Sequence, residues 1–399
     1  MATDNNNKVL NVPNLRFPEF TEVWKDSNIG KCFDLYSGNT PSRMEKKHFI
    51  GDVNWITSGE LKEHYIGDTK ERISEKAAED NNLRILPVGT FVMAIYGLEA
   101  EGVRGTCSIT VKTSTISQAC MAFTPKSNVS NEFLYSWYKK HGNKIGIRYA
   151  QGTKQQNLSY DIIEKFPIRY PSIEEQEKLN TFISLLDKRI ATQNKIIEDL
   201  KKLKVAIIEK VFSEKKCNYK IGDVISQVSI RNKSKKETNI LSVSNKWGFV
   251  EQSEQFEDRI VASEDITNYK VVRTNDFAYN PARINVGSIA RLKQQHESGI
   301  VSPMYICFHT KKDVLPEYLE IFFHTQFFKH EMYKRLEGSV RLCLSYEGLT
   351  NIPIFIPGIP VQLEISKRIF VFERKIATEE CYLNALEQQK QYLLQQMFI

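Results

Sequence analysis

The chain contains one unit twice, and that duplication bounds its architecture before any local motif does. The segment GTKQQNLSYDIIEKFPIRYPSIEEQ, starting at Gly152, aligns with GSVRLCLSYEGLTNIPIFIPGIPVQ, starting at Gly338, at an offset of 186 residues. Leu158, Ser159, Tyr160, Pro167, Pro171, Ile173 and Gln176 recur as Leu344, Ser345, Tyr346, Pro353, Pro357, Ile359 and Gln362. The same offset runs without a gap to Phe212 and Phe398. Upstream the match is weaker but keeps its order: GTFVMA faces NDFAYN, QACMAF faces PMYICF, and NEFL faces PEYL. A tandem duplication of a globular part followed by a helix accounts for this pattern. Divergence confined to the globular parts suggests that they read different targets.

Each globular part alternates short apolar runs with turn residues, as in LRILPVGTFVMAIYG and NYKVVRTNDFAYNP, and adds a helical stretch near FLYSWYKK or YLEIFFHTQFF. That is an α+β pattern. Pro167 with Pro171, and Pro353 with Pro357, break the chain just ahead of each long helix. In the first helix Ile183, Leu186, Ile190, Ile197 and Leu200 form an apolar seam of heptad spacing. Ile369, Phe372, Ile376, Leu383 and Leu386 do so in the second. Polar interruptions coincide too, Gln193 with Glu379 and Lys204 with Lys390. One amphipathic helix is ordinarily core packing, whereas two in register favour pairing as an intramolecular coiled coil. The expected division is a tail over 1–16, a globular domain over 17–171, a spacer helix over 172–215, a second domain over 216–357 and a second helix over 358–399.

At 399 residues and 41% hydrophobic the chain is long enough for two cores. It has no apolar run of membrane-spanning length, and its start lacks the charge and apolar pattern of a leader, so no membrane is expected as a partner. Cys32, Cys107, Cys120, Cys217, Cys307, Cys343 and Cys381 are odd in number and form no CxxC pair, which points to thiols in the cytoplasm. Lys and Arg total 55 against 48 Asp and Glu, a mildly basic balance. No GxxxxGK[ST] loop, methyl-donor glycine turn or carboxylate cluster is visible, and the seven histidines form no HxxxH or HExxH pattern. Asn280-Pro281-Ala282-Arg283 lacks the second proline and the aromatic of an amino-methyltransferase loop. A chain with no cofactor, metal site or catalytic residue of its own is the expectation.

Candidate DNA-reading residues lie in turn-rich loops whose side chains suit base edges and phosphates. In the first repeat they are Arg43, Ser58, Arg104, Lys154, Gln155 and Gln156; in the second, Arg231, Lys233, Asn245, Lys246, Arg283, Asn285 and Arg341. A solvated turn is the ordinary use of any one such loop. Gln155 and Arg341 gain weight because one repeat position is polar in both copies.

With NLRFPEF near the start, SGNTPSR followed by DVNWITSGEL, and the paired GTxxxNLS and GSxxxxLS segments before proline-rich stretches, the sequence resembles the specificity subunit of type I restriction-modification systems. The resemblance covers nearly the whole chain. It implies two target recognition domains of the same fold, each reading half of an asymmetric, bipartite site on double-stranded DNA, separated by an antiparallel pair of helices. It also implies two methylation subunits and two restriction subunits as partners, with S-adenosylmethionine, ATP and Mg on those partners. A standalone enzyme and a scaffold that reads no sequence stay open as other readings.

Overall fold

A computed structural model describes residues 11–100, 102–152, 156–213, 215–252, 265–293, 298–339 and 341–399. The chain divides into two compact units, residues 1–193 with 382–399, and residues 194–381.

In the first unit a five-stranded sheet runs Phe33–Ser37, Cys120–Pro125, Phe91–Ala94, Cys107–Thr110, Tyr65–Ile66. Phe91–Ala94 is buried at every residue, as its unbroken apolar reading FVMA requires of a central strand. Beside it lie a three-stranded sheet, Arg72–Ile73, Val53–Ile56, Ser114–Ile116, and a closing pair, Lys25–Asn28 with Pro167–Tyr170. The helix Asn131–Tyr149 covers this core, started by the Ser130 hydroxyl, which accepts from the Phe133 amide at 3.1 Å.

The second unit repeats the plan. Its sheets run Ile225–Val228, Ile306–Thr310, Phe277–Tyr279, Ile289–Arg291, and Gly248–Glu251, Ile240–Ser244, Ser298–Val301, Lys270–Arg273, with Tyr219–Lys220 and Pro353–Ile354 as the closing pair. The parallel pairing of Val53–Ile56 with Ser114–Ile116 recurs between Ile240–Ser244 and Ser298–Val301. The strand sets are not identical: Lys270–Arg273 has as its counterpart a single bridge, Leu86 to Ser114, and Tyr65–Ile66 pairs with Cys107–Thr110 whereas Gly248–Glu251 pairs with Ile240–Ser244.

The long helices are Ile173–Ser213 and Ile359–Met397. In the first unit Asp187 pairs with Lys390, and Arg189 donates to the Tyr382 hydroxyl. In the second, Lys201 meets Glu380 at 2.6 Å and Lys204 meets Glu373 at 3.2 Å. Within each unit the partner number falls as the other rises, so the segments are antiparallel. All ten seam residues named above are buried or half-buried.

Read from sequence, the helices lie between the domains. In the structure their ends also complete the cores. Leu393, Leu394, Met397 and Phe398 belong to the core of the first unit, and Ile208 and Phe212 to that of the second. Phe398 packs 5.3 Å from Phe133, and Phe212 lies 5.3 Å from Tyr318. Each repeat is therefore finished by the helix that follows the other. The physical reason is the apolar area of these helix ends, which a freely standing spacer would leave in water.

The start of each helix is tied by a buried glutamine. Gln176 Oε1 accepts from the Ser130 amide at 2.9 Å while its Nε2 donates to the Asn128 and Pro171 carbonyls at 2.7 and 3.1 Å. Gln362 does the same with the Leu315 amide at 2.9 Å and the Asp313 and Pro357 carbonyls at 2.9 and 2.8 Å. Residues 11–16, assigned above to a tail, are also held. The Leu15 amide donates to the Gln396 carbonyl at 3.1 Å, and Arg16 grips the buried Glu175 carboxylate through two bonds of 2.8 and 2.7 Å.

Candidate nucleic-acid interface

Two equivalent places in the repeats are tied to the loop that follows an interior strand. Gln151 bridges Asn157, and Glu337 bridges Cys343, at equivalent places of the two repeats. Gly152 and Gly338 take φ of 120° and 116°, and a Cβ on Gly338 would collide with the Arg341 carbonyl oxygen. The Leu158 amide then donates to the Ile95 carbonyl at 2.9 Å, and the Leu344 amide to the Pro281 carbonyl at 3.1 Å. Leu158 and Leu344 are thus each strapped to the loop that follows a central strand.

In the second unit this strap brings Arg283 and Arg341, both exposed, to one cleft of about 490 Å³ that Asn280, Tyr269, Tyr305 and Met304 also line. Asn280 Oδ1 accepts from the Ala282 amide at 3.1 Å, which fixes the turn carrying Arg283. Two guanidinium forks at one opening suit a phosphate or the O6 and N7 edge of guanine. Asn285 is half-buried, and its carbonyl accepts from the Tyr333 hydroxyl at 3.3 Å. A second cleft, about 330 Å³, is lined by Asn245, Lys246, Trp247, Arg291, Lys293 and Glu320 among others. Arg291 is committed there to Glu317, Glu320 and Asn275 at 2.7, 2.9 and 2.7 Å. Arg231 and Lys233 share an exposed turn, where Arg231 donates to Asn268 at 3.0 Å.

The described first-repeat candidates are held singly. Arg43 is exposed, pairs with Glu71, and lays its guanidinium 4.5 Å from the Phe49 ring and 5.3 Å from Trp55. Ser58 is half-buried in the turn Ser58–Glu60. Arg104 folds inward, its Nε donating to the Leu98 carbonyl at 2.6 Å and its Nη2 to that of Glu99 at 2.9 Å, so it shapes its own loop. The Gln156 amide donates to the Glu99 carboxylate at 2.9 Å. Lys154 and Gln155 lie outside the described residues. Among the described residues no group of three or more His, Cys, Asp or Glu is placed to hold a metal, and no helix is long and apolar enough to cross a membrane.

A family model for the type I restriction modification DNA specificity domain matches residues 21–202. The specificity subunit of type I restriction enzyme MjaIX from Methanocaldococcus jannaschii is 29% identical over 201 residues, 49% of this chain and 45% of that protein. The sequence likeness to the type I restriction-modification specificity family thus lies over the first half of the chain. The match spans less than half the length of that curated relative. Two specificity-family structures agree with the fold. The crystal structure of a type I restriction-modification S subunit from M. genitalium superposes with a TM-score of 0.56 at 14% identity, over 97% of this chain and 99% of that one. A structure described as the basis of complex assembly and conformational transition in the type I R-M system gives 0.60 at 13% identity, over 93% and 96%.

Sequence reasoning missed the aromatic and apolar lining of the two clefts. Trp247 stands next to Lys246 in SVSNKWG, yet tryptophan reads as core. Tyr305 and Met304 carry no local signal, because it is the pairing of Phe277–Tyr279 with Ile306–Thr310, Tyr279 against Ile306, that brings them beside the Arg283 loop.

Proposed function

We propose that this chain is the DNA-sequence-reading, non-catalytic subunit of a type I restriction-modification complex. Each repeat reads one half of a bipartite asymmetric site, and the helices set the gap and dock the methylation subunits. The observation that carries this reading is one fold built twice with unlike polar loops, the second copy gathering Arg283 and Arg341 at one cleft. Two unlike readers on one chain suit a site with two unlike halves. S-adenosylmethionine, ATP and Mg belong, in this reading, to two methylation and two restriction subunits, and the complex works in the cytoplasm.

The test is a genome-wide map of methylated adenines in host cells with and without this chain. The expected result is a split, asymmetric motif that vanishes with the chain. An unchanged map overturns the reading.

A further inference from the structure

Trp247 is the most exposed aromatic among the described residues, at 71%, while Trp24, Trp55 and Trp137 are 2%, 1% and 5% exposed. It stands at the tip of the hairpin formed by Ile240–Ser244 and Gly248–Glu251. The tip is set rigidly. The Ser244 hydroxyl accepts from the amides of Lys246 and Trp247 at 3.2 and 3.3 Å, and Gly248 takes the left-handed φ of 72° that such a turn needs. Lys246 Nζ lies 4.4 Å from the indole centroid.

The duplication sharpens the point. At the repeat offset Ser244 answers to Ser58 and Trp247 to Leu61, which is 1% exposed. A core position in one copy is a bare indole in the other, so the tryptophan contributes nothing to its own fold that its repeat partner contributes. The tip is also joined to the Arg283 loop, since the Ser288 hydroxyl donates to the Val243 carbonyl at 3.0 Å and a Cβ on Gly287 would touch Asn245 at 3.7 Å. Asn245, Lys246, Trp247 and Lys293 border one cleft of this surface.

We propose that Trp247 is a DNA wedge: its indole enters a base step of the half-site read by the second repeat, with Lys246 against a neighbouring phosphate. This rests on the DNA-reading function proposed above. A flat apolar face flanked by cations matches the base-pair stack and its phosphates, and apolar wedges of this kind unstack a step and bend the duplex. A turn already fixed by Ser244 and Gly248 loses little freedom on insertion.

The test uses the complex that the full chain forms in its host, tagged on this chain, and the duplex carrying the methylated motif found with the wild type. Trp247→Ala is expected to keep the melting temperature, to bind that duplex roughly tenfold more weakly or worse, and to relax only the half-site of the second repeat. Trp247→Phe should fall between. The wild-type fluorescence less that of Trp247→Phe isolates the exposed indole, which should become shielded from acrylamide on DNA addition. Unchanged affinity and motif in Trp247→Ala, with an indole still quenched in the presence of DNA, overturn the wedge. Loss of complex assembly with DNA binding intact also overturns it, in favour of a protein contact. Absence of any chain-dependent motif in the wild type overturns the DNA-reading function itself.

Discussion

Gln176 and Gln362 are fully buried, so each amide must find its partners inside the protein. Both do, through one bond to the proline carbonyl ahead of their own helix and two to the loop that starts Asn131–Tyr149 or Pro316–Phe323. Replacing either with Ala strands one amide and two carbonyls, at about 1–3 kcal/mol for each group left without a partner. Denaturant melts of Gln176→Ala and Gln362→Ala should both fall below wild type, and a wild-type midpoint would refute the strap. A second residue, His64, makes stability pH-dependent. Its ring is sandwiched between Tyr65 and Tyr135 at 4.1 and 3.8 Å, with Nε2 2.9 Å from Glu132 and Nδ1 3.7 Å from Asp187. Burial alone pulls its pKa down, but the contacts with Asp187 and Glu132 outweigh burial and raise it above 6.5. A raised folded pKa means stabilisation that is complete below the unfolded value and lost as pH rises through the folded one. Wild type should therefore lose more stability than His64→Ala as pH rises above 6.5; parallel curves would exclude the effect. The glutamines were legible as a recurrence, because a polar residue kept in both copies invites a structural reason. His64 and the inward turn of Arg104 were not, since both depend on residues far off in sequence or on backbone carbonyls that no side-chain pattern encodes.

At the scale of elements, the heptad seam was readable because 3.5-residue periodicity is local, whereas the burial of the helix ends required knowing which core they reach. Phe398→Ala should cost about 3–5 kcal/mol, and so should Phe212→Ala. The informative part is where the loss falls. Hydrogen exchange should rise in Asn131–Tyr149 for the first variant and in Pro316–Phe323 for the second, because those helices carry the aromatic partners. A loss confined to each phenylalanine's own repeat would contradict the exchange of helix ends. The same helices test the proposed gap. Seven residues inserted after Leu200 and seven after Leu386 keep the seam in phase and leave Asp187 with Lys390, and Lys204 with Glu373, free to pair as before. Each helix grows by about 10 Å, up to roughly three base pairs of duplex. Methylation mapping should then return the same half-site sequences with a wider unread gap; an unchanged gap in an assembled variant would remove the spacer role.

Taken as a whole molecule, the chain is a duplication whose copies are completed reciprocally, and this has a consequence for how it is made. The core of the first unit includes Trp24 and Phe133 together with Leu393, Leu394, Met397 and Phe398. Between synthesis of residue 193 and of residue 393 the ribosome, at about 5–20 residues per second, needs roughly 10–40 s. Throughout that interval the Phe133 face has no Phe398 against it. The half of the protein that is synthesised first therefore matures last, at a time set by translation, and the apolar face it presents meanwhile is a substrate for chaperones. Pulse-labelled chains treated with protease should show residues 17–171 turning resistant only after the final helix has left the ribosome. Resistance gained before then would mean that the first repeat folds without its borrowed helix.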